Sequence, residues 1–252
     1  VMINAAYFPS SAFINQIKNL QKNEAIFDGE EIVAFYTEED QDVDFSVYNQ
    51  LEIAGDVLKL EHTWDIFSKN DIAIKFDFEL ITEDRKSQPI DPSNYVKNAE
   101  NIFIEEGAVV ENCSLNASNG PIYIGKDALV MEGCFFRGPI AIGEEAIVKM
   151  GAKIYGATTI GPGSRAGGEI NNAVMFQNSN KGHEGYLGNS VLGEWCNLGA
   201  DTNNSNLKNN YAEVRLWDYE TEGFAKTGLQ FCGLMMGDHS KCGINSMFNT
   251  GT

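Results

Sequence analysis

The chain has 252 residues, 43% of them hydrophobic, and a formal net charge of −18. Such acidity excludes the basic surface that nucleic-acid binding needs, although a few well-placed cations suffice to hold one phosphate. No apolar run is long enough to span a bilayer and no signal-peptide pattern is present. The five cysteines (Cys113, Cys134, Cys196, Cys232, Cys242) show no paired short spacing, which fits free thiols in a reducing cytoplasm.

The acidity is uneven: residues 1–100 carry 20 acidic and 8 basic side chains, residues 101–252 carry 16 and 10. A solvated acidic surface on the first part accounts for this. Pro9-Ser10 followed by Phe13, Ile14, Ile17 and Leu20 predicts an amphipathic helix with Ser10 or Ser11 as its N-cap. Ile32–Tyr36 is an apolar run of strand length, entered from the turn-forming Asp28-Gly29. Thr63 precedes Trp64, Phe67, Ile74, Phe78 and Ile81, spaced for one helical face. Residues 1–82 are therefore expected to form an α/β segment. Residues 83–100, with Asp84, Pro89, Asp91 and Pro92, are expected to be a linker. The chain starts inside a strand-like run and stops part-way through a repeat, so a fragment of a longer polypeptide is expected.

From residue 101 a different period takes over. Ile124, Val130, Phe136, Ile142, Val148, Ile154, Ile160 and Ala166 recur every six residues, with Gly directly after three of them. A period of six fits neither a helix nor a two-residue strand alternation. It fits a solenoid of three flat sides, each giving one inward side chain per coil, with residues eighteen apart stacked. The expected fold is mainly β: a left-handed parallel β-helix over 101–252, preceded by the small α/β segment. The register slips around Asn171–Asn180 and resumes at Leu187, Leu192 and Leu198. Residues 201–230 carry no phase, hold Asn-rich and aromatic sequence, and read as an insertion loop, because hexads return at Met236, Cys242 and Phe248.

Of the three histidines, His183 falls where the register is disturbed, in Lys181-Gly182-His183…Tyr186-Leu187-Gly188. A lone histidine in a glycine-rich turn is ordinarily a solvated surface residue. Here, however, Leu192-Gly193, Asn197-Leu-Gly-Ala200 and Asn206 follow. The combination resembles the acetyltransferase half of the bifunctional family that makes UDP-N-acetylglucosamine. With Trp64-Asp-Ile-Phe67 and Gly228–Lys241, nearly the whole chain is similar to a Bacteroidetes-type branch of that family.

The resemblance implies glucosamine-1-phosphate N-acetyltransferase activity, with uridylyl transfer by the longer polypeptide. It implies His183 as general base and Glu169 as the carboxylate that orients it. Tyr186, Asn197, Asn206 and Lys181 would bind the sugar phosphate, and the backbone at Ala200 would face acetyl-CoA. An imidazole titrating near neutrality suits deprotonation of a sugar ammonium. The family's phosphate-binding lysine falls on Asn171, and Lys153, Arg165, Lys181 and Lys208 stand as unranked substitutes. The resemblance further implies a homotrimer with acetyl-CoA between subunits and the insertion as one wall. Mg2+ would serve the nucleotidyl-transfer site of the longer polypeptide.

Two other readings stay open. The β-helix could be only a trimerisation or regulatory module of a nucleotidyltransferase, and Asn197 and Asn206 could be corner asparagines of the solenoid. His62 and His239 carry no functional signal. No metal site is expected, since Cys232, His239 and Cys242 match no zinc spacing.

Overall fold

The computed structural model of the protein describes residues 1–38 and 44–252. It divides into two compact units, Val1–His62 and Thr63–Thr252.

In the first unit, β1 (Met2–Ile3), β2 (Glu24–Asp28), β3 (Glu31–Phe35) and β4 (Asn49–Glu52) form a sheet of order β1-β3-β2-β4. A helix, α1 (Ser11–Lys18), precedes β2, and Ser10 caps it, its Oγ accepting from the Phe13 amide at 3.1 Å. Phe13 is the helix's fully buried residue and packs with Tyr7, Ile26 and Val33. The run expected as a strand is β3, turned back on β2 at Gly29, where φ is +61°.

The second unit is a left-handed parallel β-helix. Its first side is a seven-stranded sheet from Val109–Val110 to Lys241–Cys242, and the other two sides are joined in an eleven-stranded sheet. Stacking follows the hexads: Ile124 pairs with Ile142 and Ile142 with Ile160, Val130 with Val148, and Phe136 with Ile154. None of the eight ladder residues is more than 2% exposed. Burying each aliphatic side chain is worth about 1.5–3 kcal/mol, so the ladder is the dominant stabilising feature of this unit. The glycines at 125, 143 and 161 are explained by crowding between coils. A Cβ on Gly143 would lie 2.5 Å from the Pro162 nitrogen, and one on Gly161 2.7 Å from the Gln177 nitrogen. The left-handed backbone of these corners falls two residues later, on Asp127, Glu145 and Gly163.

The register slip is a contraction of the coil. Ile154 pairs with Ile170, sixteen residues on, and Ile160 with Met175, fifteen on. Strands Glu169–Met175 and Tyr186–Leu192 run through the corner between the second and third sides, each bending at one asparagine, Asn172 or Asn189, with φ of +48°. Asparagine tolerates that conformation, so one residue turns the corner.

The helical stretch splits into α2 (Asp65–Ser68) and α3 (Asn70–Thr82), which pack on the solenoid within the Thr63–Thr252 unit. Phe67 joins Val174, Val191, Val214, Leu216 and Cys232 in a second core outside the coil. Asn70 anchors α3, donating to the Ala157 carbonyl at 2.8 Å and accepting from the Thr159 hydroxyl at 3.0 Å. Much of the expected linker 83–100 is the first coil: Tyr95–Lys97 pairs with Ser114–Asn116, and the Gln88 amide donates to the Ile104 carbonyl. It escapes the repeat pattern because polar side chains, Gln88 and Asn94, close its turns by bonding the backbone. The insertion spans 205–234, not 201–230. Asn203–Asn204 keeps its place in the solenoid opposite Met247–Phe248, with Asn204 inward and bonded to the Gly188 amide and carbonyl. Within the insertion, Arg215–Asp218 and Gly223–Lys226 form a hairpin.

All five cysteines are free thiols. Among the described residues no helix is long and apolar enough to cross a membrane.

Because Phe67 is 1% exposed and central to the second core, Phe67→Ala should destabilise the Thr63–Thr252 unit by about 3–5 kcal/mol. A lowered urea midpoint would show it. An unchanged midpoint would mean that α2 and α3 dock without stabilising the solenoid.

Candidate active site

The corner between the first and second sides carries the sequence motif. Asn180–Lys181 ends the first side, Gly182 to Gly185 turn, and the strand from Tyr186 begins the second side. One coil on, Gly199-Ala200-Asp201 makes the same corner, held by the Asp201 amide donating to the Glu184 carbonyl at 3.0 Å. His183 and Ala200 are thus neighbours along one edge of the prism. His183 is exposed, and its imidazole has no hydrogen-bond partner among the described residues.

Two flanks meet at this edge. On the first side, Asn180 Nδ2 donates to Asn197 Oδ1 at 2.7 Å. On the second, Lys153, Glu169 and Tyr186 form one outward column. Asn206 Nδ2 donates to the Tyr186 hydroxyl at 3.0 Å and to Asn189 Oδ1 at 2.7 Å, so the insertion's first residues fix that tyrosine. The Tyr186 ring lies over Gly188, where any Cβ would overlap it. This explains the spacing Tyr186-Leu-Gly188 in packing terms.

Two expected roles differ in the structure. Glu169 has no hydrogen bond to His183; its Oε1 accepts from the Tyr155 hydroxyl at 2.6 Å. That bond and partial burial push the Tyr155 phenol up to about 12. The coil contraction sets this pairing, because it puts Tyr155 beside Asn171 and turns its hydroxyl toward the preceding outward position.

Lys181 does not face outward at all. It occupies the inward position after Ala166, is 2% exposed, and donates its Nζ to the His183 carbonyl at 2.6 Å. Burial pulls its pKa down to about 8, against the opposing fields of Glu184 and Asp201.

The substitute cations also separate. Arg165 lies on the first side with Asn180, and Lys208 donates to the Glu213 carbonyl inside the insertion. Lys153 remains on the second side, 3.9 Å from Glu184. Sequence reasoning passed over Arg137, which ends its strand in the column Arg137–Tyr155–Asn171–Gly188. The signal was available in the eighteen-residue step from Arg137 to Tyr155. Arg137 is exposed, without an ion pair among the described residues, and lines a groove of about 670 Å³ at the corner of the second and third sides. Among the described residues no cluster of three His, Cys, Asp or Glu could hold a metal.

Residues 1–86 match a family model described as sugar nucleotidyl transferase. Curated relatives include proteins named bifunctional protein GlmU. That of Methanocaldococcus jannaschii is 31% identical over 85 residues, covering 33% of this chain and 20% of the relative. That of Methanococcus maripaludis is 30% identical over 83 residues, with coverages of 33% and 20%. That of Methanococcus aeolicus is 29% identical over 96 residues, with coverages of 32% and 23%. The chain spans about a fifth of the length of these relatives. The similarity to sugar nucleotidyl transferases thus precedes the β-helix in the chain.

The depressed Lys181 pKa has a consequence for stability. Between about pH 8 and its ordinary value of 10.5, the unfolded chain binds the proton more than the folded one, so stability rises with pH there. Lys181→Met removes this term. The stability advantage of Lys181→Met over the parent should shrink by up to about 3 kcal/mol from pH 7.5 to 10, measured by denaturant unfolding. A pH-independent difference would mean that burial in the coil leaves the proton affinity of Lys181 unchanged.

Proposed function

We propose that the chain transfers an acetyl group from acetyl-CoA to the amine of an amino sugar bearing a phosphate at C1, of the glucosamine-1-phosphate type. The observation that carries this reading is the edge on which an exposed, unengaged imidazole, His183, lies one coil from the backbone of Ala200, with Tyr186, Asn206 and Asn197 beside it.

The chemistry follows from the groups present. His183 takes a proton from the sugar ammonium, and the freed amine attacks the thioester carbonyl. Amides of the Ala200 corner stabilise the tetrahedral oxyanion. Collapse breaks the C–S bond; the His183 imidazolium gives its proton to the departing coenzyme A thiolate, and the imidazole so regenerated takes the remaining excess proton of the attacking nitrogen. Tyr186, fixed by Asn206, and Asn197 orient the sugar. Glu169 acts through Tyr155, as a positioning group on the same face. We assign acetyl-CoA to the cleft between subunits of a homotrimer, with 205–234 as one wall. Five free thiols support a reducing, cytoplasmic setting.

The match of residues 1–86 to sugar nucleotidyl transferases favours a second reading: a nucleotidyltransferase in which the β-helix serves only assembly or regulation, with Mg2+ at the nucleotidyl site. The two separate on coenzyme A chemistry.

Thiol release from acetyl-CoA should require an amino sugar with a C1 phosphate, and His183→Ala should lower kcat about 10²–10⁴-fold. An unchanged rate would remove His183 as the base. No acetyl transfer and no coenzyme A binding by the parent would favour the scaffold reading.

A further inference from the structure

We propose that Asn172 and Asn189 are positioning residues, whose side chains link Tyr186 to α2 and hold its hydroxyl as a donor toward the acceptor. This rests on the acetyl-transfer reading and ties the acceptor's seat to the helices packed on the solenoid.

Every link is an amide. Asn206 Nδ2 directs its two hydrogens to the Tyr186 hydroxyl at 3.0 Å and to Asn189 Oδ1 at 2.7 Å. Asn172 comes next, in the amide orientation that satisfies all three of its neighbours. Its Oδ1 accepts from Asn189 Nδ2 at 3.0 Å, and its Nδ2 donates to the Phe67 and Ala157 carbonyls at 3.1 and 3.2 Å. Phe67 belongs to α2, and the Ala157 carbonyl also accepts from Asn70 of α3. The amides of Asn172, Asn189 and Asn206 thus connect the helices with a hydroxyl on the second side.

The connection sets what Tyr186 can do. A phenolic hydroxyl has one hydrogen and two lone pairs. Asn206 Nδ2 donates to its oxygen, and Asn171 Nδ2 stands 3.5 Å from the same atom. The Tyr186 hydrogen must therefore point elsewhere, and no group among the described residues accepts it. It is left for an oxygen of the ligand, such as a phosphate or hydroxyl oxygen of the sugar.

The corner backbone alone does not account for these asparagines. Both have φ of +48°, a conformation that glycine adopts more readily. One coil earlier, Gly156 takes φ of +66° with no side chain at all. Asn189 is only 9% exposed, so its amide needs partners inside the protein, and Asn206 and Asn172 supply them. Asparagine at these corners serves the connection as well as the turn.

α2 lies within the residues that match sugar nucleotidyl transferases. A displacement of α2 from the solenoid breaks the Phe67 link and frees Asn172, Asn189 and then Tyr186 to reorient. The acceptor's seat therefore responds to the docking of a helix from the nucleotidyl-transferase match.

The test uses glycine, which keeps the corner and removes the amide. Asn189→Gly and Asn172→Gly should each raise KM for glucosamine-1-phosphate about fivefold, with KM for acetyl-CoA unchanged. Added to Tyr186→Phe, either substitution should have no further effect, because the connection acts through that hydroxyl. An unaltered acceptor KM, or an equal loss in the Tyr186→Phe background, would overturn the proposal. So would failure of both glycine variants to fold, since the amides would then serve the fold itself. If the parent acetylates nothing, the acetyl-transfer reading fails by itself, and NMR with isotope-labelled tyrosine decides the connection. The Tyr186 ring signal, assigned with Tyr186→Phe, should move in Asn172→Gly, three hydrogen bonds away. An unmoved signal overturns it.

Discussion

One steric constraint governs the larger unit: each side of each coil admits one inward side chain, stacked on its counterparts at the strand spacing. Ile124, Ile142 and Ile160 show the rule in its simplest form, paired residue on residue and out of contact with water. Everything polar is therefore forced outward or to the corners. At the corners the backbone leaves the ladder, so amides and carbonyls become available there without breaking the sheets. That is why a motif carrying a histidine and a backbone contact falls on an edge of the prism and not on a face.

The contraction at 169–175 sets which outward side chains lie beside that edge. Earlier coils turn their second-to-third corner through Gly156 and Ala157, whereas later ones turn through Asn172 or Asn189 alone. The shorter path shifts the outward columns, bringing Lys153, Glu169 and Tyr186 into line. It also leaves the outer surface of Val174 and Val191 bare, and α2 and the insertion cover it through Phe67 and Leu216. The helices before the solenoid and the insertion inside it are thus two halves of one cap over a single irregularity.

How much of this was legible follows from the same constraint. The regular ladder was readable because an inward position accepts few side chains, which leaves a strict period. Its ends were harder. Asn204 and Lys181 hold inward places without being apolar, by bonding Gly188 and the His183 carbonyl. A reading based on hydrophobic period therefore started the insertion too early and took Lys181 for a surface cation. The partner of Glu169 was hidden for another reason. Tyr155 lies fourteen residues before it in sequence, and their contact depends on a coil length that only the corner asparagines determine. Arg137 was overlooked because it lies in no motif, although Tyr155 stacks on it at the regular step of eighteen.

Translation along the solenoid axis gives the outward columns a freedom that the inward ladder lacks. Exchanging one exposed residue for another changes stability little, and every coil presents the same backbone at steps of about 4.8 Å. A cation can therefore move from one coil to another while the corner that carries His183 stays intact. In this chain Asn171 stands where the resemblance leads one to expect a phosphate-binding lysine, and the unengaged arginine stands two strands earlier. Such exchanges move charge along the axis without altering the fold.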